Sequence, residues 1–412
     1  MSKHKKRQGM RGGRSARLPG GWDMNRAAKF GLGALTTVLF GLTILYPFCL
    51  YTQNPVVAKW RTLYIETAMS TLSHQWLATT FIPQSIIDNV MKSRYESQDL
   101  QDGKQSEWDM TGETVQQRID SYTNEQQRFF AQFDELDHDS FLAFVEEHPD
   151  VVGDGYDRID IDYCDRKDDV TGIKTTQGDD VRAINAQAGI LIVEVKDDDY
   201  NGRLAFVKDA SRVSVGTTKS LFDHGQFVRN IAERYDALLA INASGFEDPG
   251  GNGNGGTPYG FVKSQGSKKR GAVGGDYKII GFDEQNRLRI GRFSDTTRFR
   301  DAVEFTPALI IDGERLVKDS AGWGLQPRSA IGQKEDQTVM MLVVDGRQPG
   351  HSLGCTVNDC AGIFERYGAV QASNLDGGSS SVMYYNGREI TRPTTASMNT
   401  EGRYLPDAFI VT

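Results

Sequence analysis

Cysteine is scarce in this chain, with four thiols among 412 residues, at Cys49, Cys164, Cys355 and Cys360. Cys49 falls in a long apolar run, and the three that remain do not make the disulfide framework of a small secreted domain. A single bridge between Cys355 and Cys360 stays open. No cysteine or histidine cluster has the spacing of zinc ligands, and we predict neither metal ligands nor a cofactor.

Nucleotide-binding and calcium-binding signatures are also missing. Residues 248–260 contain six glycines, yet the Lys-Ser/Thr ending of a Walker loop and the helix that follows a Rossmann fingerprint are absent. This segment is either a flexible linker or a loop that folds over a polar ligand. The acidic stretch from Asp197 to Gly202 has Lys208 where a calcium loop needs a bidentate glutamate. Because apolar runs flank it, we predict a hairpin turn there.

Charged residues are absent from residues 30–51, a run of 22 positions. At about 1.5 Å per residue this run covers a hydrocarbon core about 30 Å thick. The tail before it, residues 1–29, holds nine Lys or Arg against one acid, Asp23. By the positive-inside rule we predict a single-pass cell-membrane protein, embedded through residues 30–51, with a basic cytoplasmic tail and an extracellular C-terminal domain. Because the tail directly precedes a span, we predict no nucleic-acid partner.

The rest of the chain divides by composition. Residues 52–117 are predicted to form a helical juxtamembrane stalk and linker, with an apolar stripe over residues 56–92 and a polar linker over residues 93–117. The stripe suits a stalk, a membrane-surface helix or a self-association seam, and these alternatives stay open. Residues 118–171 are predicted to form a small helical brace, and residues 172–412 the functional domain.

The pattern from residue 189 onward is mostly that of strands, because short apolar runs alternate with turn residues. One clear helix is predicted over residues 357–367. Strands outnumber helices and do not alternate strictly with them, which argues against a doubly wound dinucleotide fold. We predict an α+β class: a mixed, β-sheet-rich globular domain with flanking helices, preceded by a single transmembrane helix and a helical stalk.

The turn after residue 373 carries a dense set of polar groups. An apolar run delivers Asn374 and Asp376 into a turn formed by Gly377, Gly378 and Ser379. Adjacent glycines let the backbone approach a ligand closely, and consecutive free N–H groups can bind an anion. Taken alone, the same stretch also suits a hairpin turn in which the aspartate caps its own backbone.

Three further apolar runs are bordered by polar residues, namely Asn242, Arg328, and Asp345 with Arg347. The order and spacing of these motifs, together with the Asp376 turn, resemble the phosphodiester glycosidase family over residues 172–412. Two features depart from the family pattern. Asn242 is followed by alanine and serine where animal members have paired glycines, and a serine follows the two glycines of the turn where many members continue with glycine.

The resemblance implies that these residues form one site, whose substrate is a sugar joined through its anomeric oxygen to a phosphodiester. It assigns catalysis to Asp376, Asp345, Arg347 and Arg328, and substrate binding to Asn242, Asn374, Gly377, Gly378 and Ser379. His351, which lies near Arg347 in the sequence, is added to the substrate-binding set; a proton-transfer role and a loop histidine without a site role both stay open. Guanidinium groups match phosphate oxygens, amides suit sugar hydroxyls, and glycosidic cleavage generally needs a pair of carboxylates.

We therefore predict an enzyme: a membrane-anchored extracytoplasmic hydrolase that cleaves sugar-1-phosphodiester linkages in an envelope or exopolysaccharide glycan, with a phosphorylated glycan as its partner. Two alternatives stay open. A non-catalytic glycan-binding module in cell-surface polysaccharide assembly would have aromatic residues around the site. It would have little need for paired carboxylates. A phosphotransferase acting on lipid-linked sugars would need a membrane-facing groove and usually a divalent metal.

Overall fold

The computed structural model of this protein describes residues 26–71, 74–107, 109, 112–165, 169–395 and 399–412. Residues 1–25, most of the predicted basic tail, lie outside the described residues. The chain forms two compact units, Met1–Ala58 and Lys59–Thr412. The second unit combines residues of the predicted stalk, brace and sheet domain. These three parts are therefore not separate bodies.

The first unit contains a long apolar helix, α1 (Arg26–Tyr51). Its segment Phe30–Tyr51 is long and apolar enough to cross a membrane. Thr36, Thr37 and Thr43 donate their hydroxyls to the carbonyl oxygens four residues earlier, so these polar groups are satisfied within the helix. The apolar helix predicted from the charge-free run is present.

Eight further α-helices are described after α1. They are α2 (Pro55–Met69), α3 (Trp76–Thr79), α4 (Gln84–Gln101), α5 (Val115–Asp120), α6 (Glu125–Gln132), α7 (His138–Glu147), α8 (Val228–Arg234) and α9 (Val357–Arg366). Pro83 stands immediately before α4, where a residue without an N–H costs no helical hydrogen bond. The start of α9 is fixed by a capping box between Thr356 and Asp359.

The linker predicted over residues 93–117 is wrong. Helix α4 extends to Gln101, whose side chain accepts a hydrogen bond from the N–H of Ala308 at 3.1 Å. Further along, Ser106 exchanges two hydrogen bonds with Ile290, at 2.8 and 3.0 Å. These polar residues form hydrogen bonds with backbone groups of the sheet domain instead of with water. Composition alone does not show which of the two partners a polar residue has.

Twenty-one strands are described, and they make up most of the second unit. They are β1 (Asp160–Asp162), β2 (Asp180–Asn185), β3 (Ile190–Lys196), β4 (Asn201–Val207), β5 (Val213–Thr217), β6 (Leu239–Asn242), β7 (Gly245–Phe246), β8 (Pro258–Tyr259), β9 (Val262–Ser264), β10 (Ser267–Arg270), β11 (Lys278–Asp283), β12 (Leu288–Gly291), β13 (Phe299–Phe305), β14 (Ala308–Ile311), β15 (Glu314–Arg315), β16 (Arg328–Lys334), β17 (Val339–Val344), β18 (Ala369–Asn374), β19 (Met383–Tyr385), β20 (Arg388–Glu389) and β21 (Asp407–Val411).

The strands form one large sheet, two smaller sheets and a ribbon. The large sheet has nine strands in the order β1-β2-β3-β4-β17-β16-β18-β14-β15. The two five-stranded sheets have the orders β10-β9-β13-β11-β12 and β20-β19-β6-β21-β5, and β7 pairs with β8. The predicted α+β, sheet-rich class is confirmed. One detail differs, because the strand pairs of the described residues are antiparallel and not of mixed direction.

The nine-stranded sheet is buried on both faces. On one face, Leu191 and Val193 of β3 share a core with helical side chains such as Phe129. On the other face, Ile190 and Ile192 share a core with strands of both five-stranded sheets, including β5, β6 and β11. Successive side chains of a strand point to opposite faces, so double burial requires the near-continuous apolar runs seen in the sequence.

The helical segment before residue 172 belongs to the same core. Phe129, Phe133 and Phe141 are buried in the cluster that covers one face of the nine-stranded sheet. Strand β1 also precedes residue 172 and pairs with β2 at the edge of that sheet. The predicted boundary between brace and functional domain therefore falls inside one structural unit.

Candidate active site

Three strands of the large sheet place polar residues at one end of that sheet. β16 begins at Arg328, β17 ends at Val344 and β18 ends at Asn374. In the strand register Arg328 lies opposite Val344, and Ala330 lies opposite Asn374. Arg328, Asp345 and the turn after Asn374 therefore emerge at the same end of the sheet, as the sequence motifs predicted.

The turn of residues 375–382 carries the chain from the large sheet to a five-stranded sheet, where β19 pairs with β6. Backbone hydrogen bonds hold the start of this turn on both sides. The N–H of Leu375 donates to the carbonyl oxygen of Ser329 at 2.8 Å, and the N–H of Asp376 donates to that of Ala243 at 3.1 Å. Asp376 consequently lies at the junction of two sheets.

Most backbone donors of the turn are used within the protein. The N–H groups of Gly378 and Ser381 donate to the carbonyl oxygens of Pro327 and Gly378. The expected run of free N–H groups for an anion is therefore wrong at these positions. The glycines serve packing instead: a Cβ on Gly377 would lie 2.9 Å from the Pro327 oxygen, and Gly378, at φ +63°, would place one 3.2 Å from Arg347 Nη2.

Asn242, the last residue of β6, holds the turn in place. Its Nδ2 donates to the carbonyl oxygen of Asp376 at 2.6 Å. Its Oδ1 accepts from the Ser329 hydroxyl at 2.6 Å and from the N–H of Val382 at 3.3 Å. Both polar atoms of this buried side chain are engaged by the protein. In this structure Asn242 positions the turn, and the substrate-binding role predicted for it stays a prediction.

Asn374 is engaged on one side only. Its Nδ2 donates to the carbonyl oxygen of Thr306 at 3.0 Å, whereas its buried Oδ1 has no hydrogen-bond partner among the described residues. A buried acceptor without a donor is unfavourable by about 1–3 kcal/mol. Asn374 therefore retains an acceptor that suits a ligand hydroxyl.

Asp376 has an unusual protonation equilibrium. Burial raises the pKa of Asp376 to about 7, although hydrogen bonds from Ser380 and the N–H of Gly377 and the positive charge of Arg403 lower it. The negative charge of Asp248 adds to the rise. A carboxyl group that takes up and releases a proton near neutral pH is suited to general acid–base catalysis.

Two residues near Asp376, Arg403 and Asp248, were not predicted from the sequence. They form a two-pronged ion pair at 2.6 and 2.9 Å. Asp248 also accepts from the N–H of Gly253 at 2.6 Å, so the pair holds the glycine-rich segment 248–260 in place. The flexible-linker interpretation of that segment is therefore wrong. The high glycine content of residues 248–260 was the one sequence signal that could have indicated Asp248. No sequence signal indicated Arg403.

Arg347 lies against the glycine turn. Its Nε and Nη2 donate to the side-chain oxygen of Gln326, and its Nη1 lies 3.4 Å from the hydroxyl of Ser379. Burial and the positive charge of Arg328 lower the pKa of Arg347. Among the described residues it has no carboxylate partner. Its charge therefore stays available to an anionic ligand beside the turn.

Arg328 is chiefly a structural residue. It is buried, and its Nε and Nη2 donate to the backbone carbonyl oxygens of Cys355, Trp323 and Gly324 at 3.2, 2.8 and 2.9 Å. Only Nη1 is left without a partner in the part of the chain that the structure describes. The predicted pair of open guanidinium forks, Arg328 with Arg347, is therefore wrong, because main-chain oxygens occupy most of the Arg328 donors.

The two cysteines near Arg328 remain free. The Sγ atoms of Cys355 and Cys360 lie 3.4 Å apart, both buried, so the bridge that the sequence left open is not formed here. Burial raises the pKa of the Cys355 thiol well above its ordinary value. Both side chains belong to the core under α9.

Asp345 forms a pair with His351 instead of with Asp376. Its Oδ2 lies 2.8 Å from His351 Nε2, and its Oδ1 accepts from the N–H of Arg392 at 2.7 Å. No hydrogen bond or ion pair within the described ranges joins Asp345 to Asp376. The two carboxylates predicted as a pair thus occupy separate contacts. The carboxylate–histidine pair is a second group that can carry a proton.

Residues 235–412 match the sequence model of the phosphodiester glycosidase family. This part of the chain is therefore similar to phosphodiester glycosidase domains. The family resemblance identified from the motifs is confirmed for this segment, which contains every site residue predicted above. In the part of the chain that the structure describes, no group of three or more His, Cys, Asp or Glu could hold a metal ion.

Relatives of this domain occur in several organisms. The SPbeta prophage-derived uncharacterized protein YomE of Bacillus subtilis (strain 168) is 30% identical over 201 residues, which is 43% of this chain and 29% of that protein. This chain thus spans less than a third of that relative's length. The zebrafish N-acetylglucosamine-1-phosphodiester alpha-N-acetylglucosaminidase catalytic domain, auto-inhibited by its pro-peptide, is 21% identical with a TM-score of 0.46, covering 54% of this chain and 81% of the other. A hypothetical protein from Synechocystis is 16% identical with a TM-score of 0.42, covering 56% and 63%.

Proposed function

We propose that this protein is a membrane-anchored, extracytoplasmic hydrolase that cleaves sugar-1-phosphodiester linkages in an envelope or exopolysaccharide glycan. The observation that carries the proposal is the position of Asp376 in the turn that Arg347 contacts. Burial in that position raises the pKa of Asp376 to about 7. Both residues belong to the phosphodiester glycosidase-like domain. The length and composition of α1 support the anchor.

In this proposal Asp376 handles the proton of the reaction. At neutral pH part of the population carries the proton and can donate it to the leaving oxygen. A phosphodiester is itself a fair leaving group, so modest proton donation is sufficient. Arg347 offers positive charge to the phosphate oxygens, and Asn374 Oδ1 accepts from a sugar hydroxyl.

The pair of Asp345 and His351 is the proposed second proton carrier. Glycosidic cleavage generally needs a second group to activate water or to stabilise positive charge at the anomeric carbon. His351 is partly exposed, with 21% of its side chain accessible, while Asp345 fixes its Nε2. Asn242 holds the turn through its hydrogen bond to Asp376, and Arg328 holds the loop 322–326 through its hydrogen bonds to Trp323 and Gly324.

The test is hydrolysis of a panel of sugar-1-phosphodiesters by the full-length protein in detergent, with and without a chelator. Asp376→Asn is expected to fold, to bind a sugar 1-phosphate and to lose turnover by at least about 100-fold. Asp295→Asn is the matched control, because that aspartate hydrogen-bonds only to Thr297 in its own loop.

Three outcomes would change the proposal. Wild-type turnover by Asp376→Asn would remove that carboxyl from the chemistry and direct attention to Asp345. Binding of sugar phosphates without turnover by the wild-type protein would favour the glycan-binding module. Loss of activity with the chelator, together with transfer of the phosphoryl group to an acceptor, would favour the phosphotransferase.

A further inference from the structure

Three arginines surround the loop of residues 322–326, and none of them forms an ion pair with a carboxylate of the described residues. Arg328 and Arg347 contact this loop through Trp323, Gly324 and Gln326, as described above. The third is Arg94, which lies on α4 and therefore outside the segment matched by the family model. No ion pair joins any of the three to an acidic side chain among the residues that the structure describes.

Arg94 packs closely on this loop. Its guanidinium carbon lies 4.3 Å from the centre of the Trp323 ring, a cation–π arrangement. Gly322 has φ +73°, and a Cβ there would lie 2.4 Å from the Cβ of Arg94, so the helix directly contacts the loop backbone. Four residues along the helix, Gln98 donates to Asp276 at 2.5 Å, next to Tyr277. Helix α4 thus bridges the loops that carry Trp323 and Tyr277.

The guanidinium of Arg94 forms no hydrogen bond with the described part of the chain, although the side chain is half-buried. Burial lowers the pKa of Arg94, and Arg94 in turn contributes to the lowered pKa of Arg328. The carboxyl beneath the same loop, Glu66, forms no ion pair with these arginines among the described residues; burial raises its pKa, and hydrogen bonds from Ser320 and Ser93 lower it. Asp276 acts electrostatically on Arg94 and Asp359 on Arg328, but neither forms an ion pair with these arginines within the described residues. Clustered cations in a partly buried place are unfavourable, and an anionic ligand would relieve their repulsion.

Tyr277 links Arg94 to the candidate site. The pKa of Tyr277 is raised to about 12, chiefly by burial and also by Tyr259 and Asp376, whereas Arg94 lowers it. The phenol is therefore within electrostatic range of both side chains. Its ring also makes an edge contact with Tyr259, with centroids 5.5 Å apart. Geometrically, the loop 322–326 is the connection, because Arg94 stacks on its Trp323 while Arg347 contacts both its Gln326 and Ser379 of the turn.

We propose that Arg94 binds an anionic oxygen of the substrate, so that helix α4 completes the ligand site of the phosphodiester glycosidase-like domain. The identity of that anion as the phosphate of a sugar phosphodiester rests on the proposed function, whereas the anion site itself rests on the arginine cluster. Arg347 and the remaining donor of Arg328 would contact the same group or a neighbouring one. Trp323 would orient Arg94 by stacking.

The test is calorimetric binding of inorganic phosphate, and separately of glucose 1-phosphate, to the full-length protein in detergent. Arg94→Gln is expected to weaken phosphate binding by at least about tenfold, and Arg94→Lys by less, because lysine keeps the charge and loses the fork. Lys92→Gln is the matched control: it removes a positive charge from the same helix, but Lys92 pairs only with exposed Glu96. The control should bind as the wild type does.

The results separate this inference from the proposed function. Wild-type phosphate affinity in a folded Arg94→Gln protein overturns the inference, as does a lack of phosphate binding by the wild type. If sugar-1-phosphodiesters are hydrolysed with Asp376 dependence while Arg94→Gln keeps the wild-type KM, the function stands and the inference fails. If no substrate is hydrolysed but phosphate binding depends on Arg94, the anion site stands and the hydrolase proposal fails.

Discussion

Asn242 donates from its side-chain Nδ2 to the carbonyl oxygen of Asp376 at 2.6 Å, although Asn242 ends a strand of a five-stranded sheet and Asp376 follows a strand of the nine-stranded sheet. The same amide accepts from Ser329 and Val382 through its Oδ1. One buried side chain thereby connects β6, β16 and both ends of the turn that carries Asp376. The geometry of the turn that carries the carboxyl therefore depends on the hydrogen bonds of Asn242.

Asn242→Ala is therefore expected to reduce both stability and activity. Removing the amide leaves the Ser329 hydroxyl and two backbone groups without partners, which lowers the free energy of unfolding by about 1–3 kcal/mol. Urea denaturation and the turnover of a sugar-1-phosphodiester measure the two effects. Asn252→Ala is the control, since the exposed side chain of Asn252 forms one hydrogen bond among the described residues, to the carbonyl oxygen of Gly250 in the same segment. An Asn242→Ala protein with wild-type stability would contradict this assignment.

Asp376 should make folding stability depend on pH. Its pKa is about 7 in the folded protein and about 3.9 in an unfolded chain, so the folded state binds the proton more tightly. The stabilising contribution is complete below about pH 4 and is lost as the pH rises to about 7. Relative to wild type, Asp376→Asn should gain about 1–3 kcal/mol of unfolding free energy between pH 4 and pH 8.

Urea midpoints of both proteins at pH 4, 6 and 8 measure this difference. Asp295→Asn serves as a reference, because hydrogen bonds from Thr297 lower the pKa of Asp295, so that the stability difference of this variant changes with pH only below about pH 4. A difference between wild type and Asp376→Asn that does not change across this range would show that the carboxyl titrates normally.

Lysine substitutions should separate the roles of Arg328 and Arg347. Arg328→Lys leaves carbonyl oxygens near Trp323 and Cys355 without donors and should lower the unfolding free energy by about 1–3 kcal/mol. Arg347→Lys should leave stability closer to wild type while reducing kcat/KM by at least about tenfold, because a lysine cannot offer a planar fork to phosphate. Wild-type turnover by Arg347→Lys would make that arginine structural as well.

The orientation of the chain in the membrane follows from the charge flanking α1. Residues 1–29 hold nine basic side chains and one acidic one, which favours a cytoplasmic N-terminus. Protease added outside intact cells is expected to remove an epitope tag placed after Thr412 and to spare one placed before Met1. Protection of the C-terminal tag would reverse the proposed topology and with it the extracytoplasmic location of the site.

The apolar helix and the sheet-rich class could be predicted because both depend on local patterns. Residues 30–51 lack charge over a length that matches a bilayer, and no distant contact changes that property. Strand β17 is apolar throughout, and β3 is apolar from Ile190 to Val193, because a sheet covered on both faces accepts few polar side chains. The position of Asp376 at the end of a strand, next to two glycines, was equally visible in the sequence.

What the tertiary structure alone decided is which polar groups meet. Arg328 and Arg347 look equivalent in the sequence, yet one is directed at main-chain oxygens and the other lies on the glycine turn. Arg403 and Arg94 come from polar segments without a motif, and only packing brings them towards Asp376 and Trp323. The physical reason is that hydrogen-bond partners and electrostatic neighbours depend on contacts between residues far apart in the chain, and local periodicity does not encode those contacts.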